Sequence, residues 1–317
     1  MMYDVIALGE LLIDFASKSV DAAGYPTMAA NPGGAPGNFL AALNAYGAKT
    51  GFLGKVGDDT FGHLLLGTLN GAGIETKGIV VDPDVFTTLA FVTFDDKGDR
   101  SFSFARKPGA DTQLRWEEVD KTMIDEARVF HFGTLSLTGE PVRTTTRKAV
   151  AYAKEQGKLI TYDPNLRKPL WKTEEEAKEQ ILWGLLQADV VKISDEEVEF
   201  LFGLGVEDGA KHILENFGVK LVFVTCGADG CFFMNANAKG HVPSLAGIKV
   251  VDTTGAGDIF GGSAVWQLLQ LGKAPETLTA AELRQAVRFA CVSAGLSTTN
   301  PGGISSVPDY AQVVEAM

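Results

Sequence analysis

Short apolar runs alternate with stretches of helical spacing over most of the chain. The apolar runs predict strands at 3–9, 50–56, 127–133, 158–163, 189–194 and 220–226. Apolar residues at helical spacing between them predict helices, among them 37–47, 60–73 and 174–187. Strands that alternate with helices form right-handed βαβ units, so the pattern predicts an α/β fold with a mainly parallel sheet covered by helices on both faces.

One region departs from this alternation. Residues 87–106 are typical of two strands joined by an Asp-Lys-Gly-Asp turn, which is a hairpin rather than a βαβ unit, and residues 11–18 are a candidate third strand. We expect a small sheet that rises from the main layer, and such appendages often serve as lids. Its strands are expected at about 11–32 and 87–112, inserted in a single domain of residues 1–317.

The hairpin carries apolar residues on both faces. One face has Leu89 and Phe91, and the other has Ala90, Val92 and Phe94. An isolated hairpin cannot bury both faces. We therefore expect one face to cover a ligand and the other to pair with a second copy of the chain under two-fold symmetry, which gives a homodimer. Packing of the outer face on the chain's own core is the alternative.

Composition narrows the possible partners. The 317 residues carry a net charge of -12, with 45% hydrophobic and 21% charged residues, as in ordinary soluble enzymes. Nucleic acids and acidic membranes require clustered Lys and Arg, so neither is an expected partner. The N-terminus is typical of a first strand rather than a signal peptide, and no apolar run reaches transmembrane length. Cys226, Cys231 and Cys291 lack zinc-site spacing, which favours reduced packing residues in a cytoplasmic protein.

The segment VVDTTGAGDIFGGS (250–263) combines a glycine turn with a helix start. Gly255, Ala256 and Gly257 have little or no side chain to keep a ligand from the backbone, and helical spacing follows them. N–H groups at a helix start lack intrahelical partners and, with the helix dipole, form an anion site. The chain lacks a Walker A loop, because Lys55 in FLGKVG is followed by Val56.

Asp258 follows this anion site, where a carboxylate would repel a resting phosphate. It is explained if it faces a hydroxyl instead: an alcohol that attacks a phosphoryl group must lose its proton, and a nearby carboxylate can accept it. The turn's N–H groups would then stabilise charge on the transferring phosphoryl. A helix-capping role for Asp258 is the alternative.

The wider sequence resembles the ribokinase-like sugar kinases, also called the phosphofructokinase B family. DTTGAGDIFGGS is similar to their C-terminal signature, and residues 31–62 are similar to their N-terminal signature. Further similar segments follow in family order at 104–111, 133–138, 163–171, 192–197 and 224–230. The match spans nearly the whole chain, and its details are closest to the fructokinases. The resemblance implies a ribokinase-like three-layer α/β/α fold, a β-sheet lid, and the use of ATP, Mg²⁺ and K⁺.

The resemblance also implies the residues that bind the sugar. Besides the base Asp258, they are Asp14, Gly33, Gly34, Asn38 and Arg106. Asp14 would accept hydrogen bonds from sugar hydroxyls, and Arg106 would point from the lid towards the sugar. The alternatives are a surface Asp14, an ordinary turn around Asn38 and a solvated Arg106, with Asp111 pinning the returning chain.

A second implied group serves the phosphates and the nucleotide. Arg167 would neutralise charge on the phosphoryl, while Asp163 and Asn165 organise that site. The nucleotide pocket is assigned to Lys192, Ser194, Thr225, Gly227, Gly230, Gly257 and Cys291. Ser194 stands where the family frequently has Asn. For Cys291, core packing is the alternative.

Metal ions complete the implied site. Glu197 would link to Mg²⁺ through water, and a solvated acidic helix start is the alternative. A monovalent-cation site is assigned to Asp252, Thr254, Ser297, Asn300, Gly302 and Ser306. A bound cation there would explain how Asp252 is tolerated beside an anion site, and a plain loop is the alternative.

The expected function is an ATP- and Mg²⁺-dependent kinase that phosphorylates the 6-hydroxyl of fructose. A kinase for 2-keto-3-deoxygluconate is the competing substrate assignment and would need extra cations for the sugar's carboxylate, which Arg106 and Arg167 could supply. A nucleoside kinase of this family is a further alternative. A catalytically silent sugar-binding regulator is an alternative of another class. The presence of Asp258 and the whole GAGD turn argues against that regulator.

Overall fold

The structure is a computed structural model that describes residues 2–94 and 100–317, with the side chains of 92–102 outside the description. The strands, β1 to β13 in chain order, are Tyr3–Leu8, Leu12–Val20, Pro26–Gly33, Thr50–Gly57, Ile79–Asp82, Thr88–Phe94, Arg100–Ala105, Ala127–Gly133, Leu159–Asp163, Val190–Ser194, Leu221–Thr225, Cys231–Asn235 and Lys239–Val242. The helices, α1 to α10, are Ala35–Ala45, Thr60–Gly71, Lys121–Asp125, Val142–Glu155, Glu174–Leu185, Asp195–Phe202, Val206–Phe217, Ala256–Leu271, Ala280–Ser297 and Tyr310–Glu315.

The larger sheet has the strand order β13-β12-β11-β10-β9-β8-β1-β4-β5. Every pairing from β11 through β5 is parallel, and only β12 and β13 join antiparallel. The mainly parallel sheet is therefore confirmed, together with all six predicted strands. The sequence pattern did not predict β5, β12 and β13, because β5 is short and the last two form a hairpin outside the alternation of strands and helices.

Alternating side chains of the central strands pack into hydrophobic clusters on both faces of the sheet. On β1, Val5 and Ala7 pack with α1, α2, α8, α9 and α10, whereas Ile6 and Leu8 pack with α3 to α7. Because successive strand residues point to opposite faces, continuous apolar strands require cover on both sides. The three-layer α/β/α architecture is confirmed. Among the helices of the described residues, none is long and apolar enough to span a membrane.

The smaller sheet has the order β3-β2-β6-β7, so the predicted hairpin and its additional strand are confirmed. The predicted turn lies at 95–99, outside the described residues. On one face, Phe15 stacks on Phe91 at 5.3 Å and meets Phe61 of α2 edge-on at 5.5 Å between ring centroids. That face therefore packs on the chain's own core at this point. The side chains of Val92 and Phe94, where pairing was expected, lie outside the description.

Candidate active site

Two clefts meet at the edge of the main sheet where the parallel strands end. The large cleft, of about 1030 Å³, lies against the ends of β10 and β11 and the helices α8 and α9. The small cleft, of about 350 Å³, lies between the end of β1, the small sheet and α8. Asn165, Arg167 and Thr253 line both clefts. Open parallel sheets generally bind ligands at this edge.

The residues predicted for the nucleotide and those predicted for the sugar line different clefts. The large cleft is lined by all seven residues assigned to the nucleotide, namely Lys192, Ser194, Thr225, Gly227, Gly230, Gly257 and Cys291. The small cleft is lined by Asp14, Gly34, Asn38 and Asp258. Gly33 ends β3 immediately beside it, with the Asp14 carboxylate occupying the space that a side chain would need. Residues from three distant parts of the chain thus line one cavity.

The glycine turn begins α8, and Gly255 is its N-cap residue with φ 75°, a left-handed conformation that glycine adopts without strain. The i→i−4 ladder starts with the bond from Ile259 N–H to the Gly255 carbonyl, at 2.8 Å. The N–H groups of Gly257 and Asp258 precede that bond, as expected of an anion-binding helix start. Because Gly255 is the N-cap and makes no side-chain cap, Asp258 is not the capping residue.

Asp258 is buried in the first turn of α8, and its Oδ2 accepts a hydrogen bond from Asn38 Nδ2 at 2.9 Å. Burial raises the pKa of this carboxyl group, while Lys192, the Asn38 amide and Arg167 oppose the rise. This rise brings the pKa of the carboxyl group closer to the pKa of an efficient general base at neutral pH. Asn38 Oδ1 is buried without a hydrogen-bond partner among the described residues. The amide thus retains an acceptor next to the base.

Asp14 lies on β2 opposite Asn31, half-buried at the small cleft. Burial raises its pKa to about 6; Arg167 opposes this rise, and the carboxylates of Asp258 and Asp252 reinforce it. The site therefore places several acids around one arginine. A carboxylate in this position can accept hydrogen bonds from ligand hydroxyls.

Glu10 is a small-cleft residue that the sequence reasoning missed. It follows β1 and is buried, and its Oε1 accepts a hydrogen bond from the N–H of Ala35, the first residue of α1, at 2.9 Å. Burial raises its pKa to about 7. The available signal was an acidic residue directly after an apolar strand. Its carboxylate caps the helix that carries Asn38.

Arg106 is buried beside the small cleft, and within the described residues four of its five N–H donors are engaged. Its Nε and Nη2 donate to Asp111 Oδ2 at 2.9 and 2.6 Å, and further bonds reach Thr138 Oγ1 and the Leu135 carbonyl. The alternative of a solvated Arg106 is therefore wrong. Asp111 holds the chain that follows the hairpin by binding Arg106, which agrees with the alternative given for Asp111. A direct contact of Arg106 with sugar stays a prediction.

The residues assigned to phosphates and Mg²⁺ lie along the ends of β9 and β10. Asp163 binds Lys192, and Asn165 donates its N–H to Asp163 Oδ1 at 3.2 Å. Glu197 is buried, and its two oxygens accept N–H groups from Leu166 at 2.6 Å and Ser194 at 2.8 Å. A solvated helix start is therefore wrong for Glu197. With both oxygens held by the backbone, it fits a contact with Mg²⁺ through water better than a direct one.

The residues assigned to a monovalent cation lie where the turn before α8 meets the loop after α9. Asp252 joins them, because its Oδ2 accepts the N–H of Gly302 at 3.0 Å and its Oδ1 the N–H of Thr254 at 2.9 Å. The hydroxyl groups of Ser297 and Ser306 donate to the carbonyls of Ala294 and Gly303. Asn300 lies on the same loop. This oxygen-rich set fits a hard cation, and its occupation stays a prediction.

Comparison with known proteins identifies the family. The model of the pfkB family carbohydrate kinase matches residues 2–310. The chain belongs to this family. It is 41% identical to Fructokinase-1 of Zea mays, covering 98% of this chain and 96% of that relative. It is also 41% identical to Fructokinase-2 of Solanum lycopersicum, covering 98% and 94%.

Solved structures of pfkB-like kinases agree with the fold. The fructokinase from Xylella fastidiosa with bound ATP is 29% identical over 100% of this chain and 98% of that one, with a TM-score of 0.91. The fructokinase from Vibrio cholerae O395 with bound fructose, ADP and calcium ion is 31% identical over 99% and 98%, with a TM-score of 0.87. The predicted resemblance to this carbohydrate kinase family is confirmed.

Proposed function

We propose that this protein transfers the γ-phosphoryl group of ATP to the 6-hydroxyl of fructose. The observation that carries the proposal is the position of Asp258, a buried carboxylate at the helix start where the two clefts meet. Similarity to fructokinases over nearly the full length of both chains supports fructose as the acceptor. The ATP-bound and the fructose- and ADP-bound relatives support the two substrates.

In this reaction the sugar lies in the small cleft and the nucleotide in the large cleft. Asp258 takes the proton of the attacking hydroxyl as the new P–O bond forms. The N–H groups of the 255–257 turn bind the transferring phosphoryl, and Arg167, which lines both clefts, neutralises its charge. Bound Mg²⁺ would supply further charge neutralisation on the nucleotide phosphates, with Glu197 holding it through water.

The charges of the small cleft favour a neutral sugar over 2-keto-3-deoxygluconate. Its lining has more acids than cations: the carboxyl groups of Glu10, Asp14, Asp252 and Asp258 stand against Lys18 and Arg167, and these acids would repel a substrate carboxylate. Of the two cations considered for binding a sugar acid, Arg106 is paired with Asp111 at 2.6 Å, and Arg167 is assigned to the transferring phosphoryl group. Fructose needs only hydrogen-bond partners for its hydroxyls, which these carboxylates provide.

A coupled assay of ATP turnover over fructose, 2-keto-3-deoxygluconate, ribose and adenosine tests the proposal. We expect the highest kcat/KM for fructose. A higher value for the sugar acid would overturn the substrate but leave the kinase reaction. If ATP were not turned over with any of these four acceptors, the result would favour the silent sugar-binding regulator.

The assembly, the cation and the location complete the proposal. We place the enzyme in the cytoplasm because of its cysteine pattern, and we infer activation by K⁺ from the oxygen atoms around Asp252.

The proposed pairing of two copies through the small sheet rests on the apolar residues of that sheet. Light scattering of the wild type and of Val92→Lys and Phe94→Lys at micromolar concentration tests it. A monomeric wild type, or charged variants that stay dimeric, would refute this interface.

A further inference from the structure

A buried ammonium group lies in contact with the glycine turn. Lys192 is the third residue of β10, its side chain is only 12% exposed, and it lines the large cleft together with Gly257 and Arg167. A Cβ atom added to Gly257 would lie 3.0 Å from Lys192 Nζ. The ammonium thus lies close to the backbone whose N–H groups are proposed to form the anion site, and a side chain at position 257 would crowd it.

The hydrogen bonds of Lys192 hold it without using all of its donors. Nζ donates to Asp163, with Oδ2 at 3.0 Å and Oδ1 at 3.3 Å. An ammonium has three N–H donors, and within the described parts of the chain Asp163 is its hydrogen-bond partner. Asp163 is fixed at the end of β9 and accepts the N–H of Asn165 as well. The pair therefore fixes the ammonium while leaving donor capacity for a ligand.

The surroundings keep Lys192 charged. Burial lowers its pKa, but the carboxylates of Asp163, Glu197 and Asp258 outweigh that effect and raise the pKa above the ordinary value. At neutral pH the side chain is a fixed cation in a mostly buried position. A cation in such a position interacts more strongly with a charged ligand than a solvated one does.

We propose that Lys192 is a catalytic residue that donates a hydrogen bond to the transferring phosphoryl group at the 255–257 turn. The inference rests on the proposed kinase function. During transfer, the bond from the γ-phosphorus to the β–γ bridging oxygen breaks, and its electron pair leaves with ADP. A bond forms to the sugar oxygen, whose proton passes to Asp258. Lys192 keeps its proton throughout and stabilises charge on the phosphoryl oxygens.

A purely structural role makes a different prediction. If Lys192 only neutralises Asp163, then removing both charges should restore what removing one destroys. Lys192→Met alone leaves a buried carboxylate without its partner, so a loss of activity in that variant could come from destabilisation of the fold. The double variant Lys192→Met/Asp163→Asn leaves no unpaired charge in the pair and is the informative protein.

The experiment compares the wild type, Asp163→Asn and the double variant, with Lys211→Met as a control on an exposed lysine of α7. We expect kcat of the double variant to be roughly 10²- to 10³-fold below that of Asp163→Asn, the usual loss for one oxyanion donor. Calorimetry should show ADP binding unchanged between those two proteins, because ADP lacks the transferred group. The control should match the wild type.

Two outcomes would overturn the proposal: kcat of the double variant within threefold of Asp163→Asn, or an equal loss of ATP and ADP affinity without a loss of kcat. If the wild type turns over another sugar but not fructose, the fructose assignment fails and the same comparison is made with that sugar. If it turns over no sugar, the kinase proposal fails. In that case the ratio of ATP affinity to ADP affinity still tests Lys192. A loss of the preference for ATP in the double variant would support the contact with the terminal phosphate, and an unchanged preference would contradict it.

Discussion

The two clefts share a boundary at the start of α8 but present different chemistry to it. The small cleft contains buried carboxyl groups that remain acceptors, and burial raises the pKa of Glu10 to about 7 and that of Asp14 to about 6. On the large-cleft side, burial likewise raises the pKa of Asp163 to about 7, but the carboxylates of Asp163 and Glu197 are bonded to Lys192 and to backbone N–H groups.

This difference shows how an acid can lie beside an anion site. Asp258 follows Gly257 in sequence, yet its carboxylate lines the small cleft and bonds Asn38, while Gly257 lines the large cleft. Adjacent residues at a helix start thus face different clefts. In the proposed reaction, the carboxylate would accept the proton of the sugar hydroxyl, and the N–H groups would bind the phosphoryl that gains charge.

Removal of the base should have the largest effect. Asp258→Asn keeps size and the contact with Asn38 but cannot accept a proton, so kcat should fall by roughly 10²- to 10⁴-fold with the fold intact. Asp208→Asn is the matched control, because Asp208 is likewise the third residue of its helix, α7, but is exposed. Steady-state kinetics and thermal unfolding of both variants check this. A near-normal kcat for Asp258→Asn would remove the general base from the mechanism.

Arg167 lines both clefts, so its loss should affect the transferred group more than either substrate alone. In Arg167→Met we expect kcat to fall by roughly 10²- to 10³-fold, because one charged donor to the phosphoryl is lost. KM for fructose and for ATP should change much less. Arg128→Met, at a half-exposed surface position, is the control. If the variant raised only KM for ATP, Arg167 would be a nucleotide contact rather than a phosphoryl contact.

The acid content of the small cleft should also appear in stability. The pKa of Glu10 is raised from 4.5 to about 7 in the folded protein, so folding favours its protonated form. That contribution is fully present below pH 4.5 and is lost as the pH rises through 7. Between pH 5 and 8 the wild type should lose about 2 kcal/mol more unfolding free energy than Glu10→Gln, which does not titrate.

Denaturant unfolding at the two pH values measures this difference, with the exposed Glu215→Gln as control. The control should lose as much stability as the wild type over this range. If Glu10→Gln also lost as much, the carboxyl group would not be carrying a raised pKa.

The pH dependence of activity should show the smallest effect. The pKa values of Asp14, at about 6, and of Asp258 are both raised, so both groups become protonated on acidification sooner than ordinary aspartates. Since the ionised forms are the ones proposed to bind the sugar and to accept the proton, kcat/KM should fall by about tenfold per pH unit below pH 6. A rate profile from pH 5 to 9 tests this. A flat profile down to pH 4.5 would show that neither carboxylate carries a raised pKa.

Much of the fold and part of the site were predictable from local patterns. The alternation of apolar strands with helices requires a two-sided parallel sheet, and GAGD at a helix start predicts an anion site from backbone chemistry alone. The assignment of Asp14, Asn38 and Arg167 to one site came from the family resemblance. Their positions lie far apart in the chain, and no periodicity relates them.

The remaining features depended on tertiary structure. The engagement of Arg106 by Asp111, the capping of α1 by Glu10 and the contact of Lys192 with Gly257 join residues whose partners a sequence cannot reveal. Local sequence determines which segments form strands, helices and turns, because those preferences act over a few residues. Which charges are buried and which are paired is decided when distant segments pack, since burial and distance set the strength of each interaction.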